Sequence, residues 1–155
     1  MGGSYEAGTI VDWRATALVP VRLTSANDQI RFDENKTYAL FGLTSDLATS
    51  LCDWMSSRGA RTIVLTSRNP NIDERWLEEI SRAGVHVGVF SNDITDQTAV
   101  EELVATIRRE FPPIGGIMNG AMVLQDVPFS EMSFEIMEKV LRPKVLGTMH
   151  LDRLF

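Results

Sequence analysis

The sequence predicts an α/β fold with an open parallel sheet, and three observations predict it. Four short apolar runs, at 38–41, 62–66, 85–90 and 114–118, have the length and content of buried strands. The segments between them carry apolar residues at helical spacing and are long enough for crossover helices, too long for hairpins. The first run leads into Gly42 and then directly into a helical pattern, so strand, tight turn and helix start follow one another.

The elements can be justified in order. Residues 1–10 are polar and glycine-rich. The stretch 11–23, VDWRATALVPVRL, has strand-like content, but Pro20 lacks a ladder donor, so an edge strand or extended arm is expected. Residues 25–36 are polar and read as a linker, which divides the chain into an arm and linker at 1–36 and a folded domain at 37–155. After the strand at 38–41 and Gly42, Leu47, Leu51, Trp54 and Met55 predict one face of a helix running to about Arg58. The run at 62–66 is a second strand and SRNPN a loop. A helix over 73–83 presents Trp76, Leu77 and Ile80 and ends at Gly84. The third strand is 85–90. Asp96 or Thr98 then caps a helix to about Glu110 with Val100, Leu103, Val104 and Ile107 as its buried stripe. Pro112 and Pro113 stop it. The fourth strand, 114–118, is interrupted by Gly115 and Gly116. Ser133 caps a last helix over 134–155, which Pro143 is expected to kink by removing a backbone donor. Right-handed crossovers place the strands in the order 3-2-1-4, a Rossmann-like sheet truncated after the fourth strand and its helix, with an N-terminal extended arm.

Bulk properties exclude several classes. The chain has 155 residues and a net charge of −6, with no basic stripe, which argues against nucleic acid and against anionic membrane as partners. No apolar stretch approaches the ~20 residues that span a bilayer, and the N-terminus lacks the charged and apolar regions of a secretory leader. Glu6 breaks the myristoylation pattern. The single Cys52 fits a reducing, cytoplasmic setting and reads as a core residue. His86 and His150 have no ligand at metal-binding spacing, so no metal site is expected. No G-x-S-x-G, Walker turn or H-E-x-x-H occurs.

The segments NKTYALFGLTSDLATSLCDWMSSRGARTIVLTSRNP, FSNDITD, NGAMVLQDVPFSEMSFE and VLRPKVLGT resemble the ketoreductase domain of fungal highly reducing polyketide synthases, and most closely the synthases fused to a peptide synthetase module. The resemblance covers about residues 11–155. It implies a short-chain dehydrogenase-like Rossmann fold that uses NADPH to reduce a β-keto group on a carrier-bound polyketide. Gly42, Ser45 and Ala48 fall on the three phosphate-turn glycines, with Thr44 beside them. A Cβ at Ser45 weighs against close approach of the pyrophosphate. Ser67 and Arg68 fall on the 2′-phosphate reader, Asp93 on the carboxylate that meets the adenine, and Asn119, Gly120 and Ala121 on the turn beside the cofactor ribose. Lys144 falls on the catalytic lysine. The serine and tyrosine that polarise and protonate the carbonyl in this family lie beyond residue 155.

Three functions follow as expectations. The first is a truncated ketoreductase relative that does not reduce on its own and binds a polyketide intermediate for a non-redox step such as cyclisation or isomerisation. The second is the front part of an NADPH-dependent reductase completed by a missing C-terminal half. The third is a non-catalytic structural or dimerisation module. A polyketide synthase is the expected partner, and an open edge at the fourth strand predicts a homodimer.

Overall fold

The computed structural model describes residues 29–155 together with Asp12, Arg14 and Ala15. Within the unit Met1–Ile30 a turn is described in which Asp12 accepts from the amides of Arg14 and Ala15. The rest of the arm expected over 11–23 lies outside the described residues. Arg31–Phe155 forms one compact unit.

That unit runs β1 (Thr37–Phe41), α1 (Asp46–Ser57), β2 (Thr62–Ser67), α2 (Glu74–Arg82), β3 (His86–Ser91), α3 (Gln97–Glu110), β4 (Ile114–Asn119), a 3-10 turn (Phe129–Glu131) and α4 (Phe134–Leu154). The strands form one parallel sheet in the order β3-β2-β1-β4, as the connection lengths predict. The interruption expected at the glycine pair is a slip in register. Thr37 aligns with Ile114 and Tyr38 with Gly116, so Gly115 is the extra residue of β4.

Two cores lie on the two faces of the sheet, sorted by the strand period of two. Ala39, Phe41 and Val64 face α3 and α4, packing with Val100, Val104, Ile107 and Leu151. Leu40, Ile63 and Leu65 face α1 and α2, packing with Ala48, Cys52, Met55 and Ile80. Each fully buried aliphatic or aromatic side chain contributes about 1.5–3 kcal/mol. Helix α1 corrects the expected stripe. Ala48, Cys52 and Met55 make its buried face, Leu51 and Trp54 pack at the margin, and Leu47 is 67% exposed. Small side chains at 48 and 52 let the helix approach the sheet closely, and that rotates Leu47 outward.

Helix ends follow the local chemistry. Asp73 accepts from Arg75 N, Asp96 from Ala99 N and Ser133 from Ile136 N, which selects Asp96 over Thr98 as the cap of α3. Helix α4 continues through Pro143, and Arg108 donates to the Leu154 carbonyl while its guanidinium lies over the Phe155 ring. The end of the polar lead-in also packs. The Phe32 ring meets Tyr38 and Trp54 edge-on at 4.8 and 5.6 Å, and its amide donates to Arg58 O at 2.9 Å.

Candidate functional site

The carboxyl ends of all four strands open on one side, where the turn after β1 meets the loop after β4. Gly42 has φ of 75°, and a Cβ there would fall within the backbone of Ala121. Only glycine lets the turn lie against that loop. Leu43 N donates to Thr66 O at 2.9 Å, and Thr44 Oγ1 bonds Ser67 Oγ at 2.8 Å, so the turn is tied to the end of β2. Ser45 is the N-cap of α1 in extended backbone, and its side chain caps nothing. Helices α2, α3 and α4 each satisfy a first-turn amide with a side chain, whereas the first amides of α1 face the turn without one. The two substituted glycine positions therefore differ. Ala48 is fully buried, its methyl filling the packing between α1 and the sheet, while Ser45 is exposed at the turn itself.

A cleft of about 960 Å³ lies beside this turn. One wall is Gly42, Ser67, Arg68, Asn69, Asn92, Asp93 and Thr95; the other is Ala121 and Met122 with the α4 face Glu135, Glu138, Lys139 and Arg142. Asp93 accepts from the Thr95 amide at 2.9 Å and its hydroxyl at 2.8 Å. Burial pushes the Asp93 carboxyl up, but the two Thr95 bonds, Arg68 and Arg142 outweigh it and hold the pKa below the usual value. Asn92 donates to Ala99 O at 3.0 Å, and its Oδ1 is buried with no hydrogen-bond partner. Ser91 Oγ holds the Arg68 carbonyl at 2.8 Å, which anchors the loop after β2. A second cavity of about 590 Å³ shares Gly42 and Asn69 with the first and is lined by Thr44, Ser45, Thr49, Asn71 and Trp76.

The third cluster sits where β4 ends. Gly120 N donates to Phe41 O at 2.8 Å, and a Cβ on Gly120 would overlap the Leu43 side chain. Asn119 Nδ2 donates to Pro143 O at 3.1 Å and Thr148 Oγ1 at 3.0 Å, and its Oδ1 accepts from Ala121 N at 3.0 Å. Lys144 Nζ reaches Asn119 O at 3.5 Å. The strand end and α4 are thus locked together, with an exposed ammonium aimed at the turn. Among the described residues no group of His, Cys, Asp and Glu is placed to hold a metal, and no helix is long and apolar enough to cross a membrane. Cys52 is fully buried, and burial followed by the charge of Asp53 pushes its thiol up to about 12, which makes it inert.

Of the residues singled out in the sequence, Gly42, Ser67, Arg68, Asp93 and Ala121 line the large cleft. Thr44 and Ser45 line the second cavity, and Asn119, Gly120 and Lys144 form the cluster at the end of β4. Sequence reasoning missed Asn92, Thr95 and the α4 wall. The signal was present in part: Glu135, Glu138, Lys139 and Arg142 recur at the spacing of one helix face.

Comparison with known proteins accords with this geometry. The family described as KR domain matches residues 36–155. A hybrid PKS-NRPS synthetase of Thermothelomyces thermophilus is 66% identical over 147 residues, 95% of this chain and 4% of that protein. A highly reducing polyketide synthase of Neocamarosporium betae is 48% identical, again over 95% of this chain, and 5% of that protein. The chain therefore spans about a twentieth of the length of the curated relatives it matches. The crystal structure of a ketoreductase domain from the bacillaene assembly line superposes with a TM-score of 0.73 at 28% identity, covering 80% of this chain and 30% of that one. The turn, the cleft and the match over residues 36–155 agree, and the chain belongs to the KR, or ketoreductase, domain family.

Proposed function

We propose that this stretch is the dinucleotide-binding portion of a ketoreductase domain that works within a fungal polyketide synthase, and that its cleft takes NADPH. The observation that carries the reading is the uncapped N-terminus of α1 at the point where the sheet order reverses, between β1 and β4. Ligands of open α/β sheets bind at that point, and free helix amides with the positive end of the helix dipole favour a phosphate there. The rest of the lining suits the cofactor. Arg68 offers a guanidinium fork to the 2′-phosphate, Asp93 an acceptor for the adenine amino group, and Asn92 a buried Oδ1 still without a donor. Asn119, Gly120 and Ala121 form a rigid rail for the ribose. Bound there, the nicotinamide would supply the hydride that reduces a β-keto group on a carrier-bound polyketide. Lys144, tethered to the Asn119 carbonyl, would hold its ammonium beside that group.

Ser45 favours a second reading. Its side chain stands at the turn where close backbone approach matters, and a cleft that has lost the dinucleotide could hold a polyketide chain for a non-redox cyclisation or isomerisation. Calorimetric titration of NADPH into the folded chain separates the two. Micromolar binding supports the dinucleotide reading. A protein with intact circular dichroism and no binding overturns it and leaves the non-redox role.

A further inference from the structure

Two guanidinium groups reach the large cleft from opposite walls, and the cofactor reading above uses only one. Arg68 stands on the loop after β2, and Arg142 on the cleft-facing side of α4. Asp93 lies in the field of both and is already engaged by Thr95. Among the described residues neither arginine forms an ion pair. Over the whole lining, Asp93, Glu135 and Glu138 balance Arg68, Lys139 and Arg142, so what marks this corner is its geometry: two guanidiniums flank one carboxylate that Thr95 already engages. A phosphomonoester brings about −1.5 to −2 charges and three acceptor oxygens. The backbone behind Arg142 is also fixed, because the next residue, Pro143, is buried and its carbonyl is held by Asn119.

We propose that Arg142 is a second reader of the 2′-phosphate, acting from α4 across Asp93 from Arg68, so that the choice of phosphorylated over unphosphorylated dinucleotide depends on both walls; this rests on the dinucleotide reading of the cleft. Phosphate selection is then a property of the closed pair of walls rather than of the loop after β2 alone, and it requires α4 to be docked on β4.

The test is calorimetry with NADPH, NADH and 2′,5′-ADP against the wild-type chain, Arg142→Gln, Arg142→Lys and Arg68→Gln. Arg142→Gln is expected to weaken NADPH and 2′,5′-ADP by about tenfold while moving NADH by less than about twofold, the loss typical of one hydrogen bond to a charged group. Arg142→Lys should recover part of the loss. Arg142 is exposed, so folding should survive substitution, and unchanged thermal unfolding checks this. Equal weakening of NADPH and NADH, or none, in Arg142→Gln overturns the role of Arg142 while leaving the dinucleotide reading intact. A folded wild-type chain that binds none of the three ligands overturns both.

Discussion

Strands β2 and β4 flank β1 on its two sides, and both read as buried in the sequence, yet the fold treats them differently. Thr62–Ser67 is buried along nearly its whole length, paired on both edges and covered on both faces. Ile114–Asn119 pairs only with β1 among the described residues, and Ile117 and Met118 stay 38% and 43% exposed. Helix α4 repeats the contrast along its own length. It buries Pro143, Gly147, His150 and Leu151, while Phe134, Leu141, Val145 and Met149 remain open to solvent. Apolar content says that a surface will be covered, not by what. The β2 half is covered by its sequence neighbours, and the β4–α4 edge needs something more.

Substitution measures that difference most directly. Leu65→Ala and Ile63→Ala should each cost about 2–5 kcal/mol in urea unfolding, because the cavity opens in a closed core. Ile117→Ala, on the open strand, should stay within about 1 kcal/mol. Similar losses at both strands would break the comparison. Gly42→Ala comes next: a left-handed φ and a Cβ directed into the Ala121 backbone should destabilise by about 2–4 kcal/mol and bend the turn.

The uncovered edge supports a proposal about assembly. We infer that the chain studied by itself pairs with a second copy over the β4 edge and the open α4 face, which sedimentation at tens of micromolar would report as a dimer. Leu141→Asp with Val145→Asp should return it to a monomer without unfolding it. A wild-type monomer at that concentration counts against the homodimer, and a dimer that survives the double change places the contact elsewhere.

Smaller effects belong to the covered half's rim. Ser45→Gly should tighten NADPH severalfold by freeing backbone approach at the turn, at a cost of under about 1 kcal/mol in stability. Unchanged affinity would mean that the Ser45 side chain does not crowd the ligand. Asp93 contributes a pH dependence of known sign. Its folded pKa lies below the ordinary 3.8, so its stabilisation is present above the unfolded range and is lost as pH falls through the lower folded value. Acid unfolding midpoints should therefore respond to Asp93→Asn, which removes that part of the loss. Identical acid profiles would show that the Thr95 bonds carry no net charge preference.

The sequence by itself determined the four strands, their helices, the sheet order and most caps. Those follow from periodicities of two and 3.6 residues and from side-chain-to-amide bonds a few positions away, all of which are local. It also marked Gly42, Arg68, Asp93 and Lys144 through the family's motifs. Only the tertiary structure decided which face of α1 is buried, because Ala48 and Cys52 win over Leu47 by letting helix and sheet approach. Only it separated the two missing glycines, one filled by a packed methyl and one carrying a hydroxyl at the mouth of the turn. Arg142 entered the cleft the same way. Its neighbours there are Arg68 and Asp93, far away in the chain, and they meet only because parallel crossovers bring every strand's carboxyl end, and the helix after the last one, to the same side of the sheet.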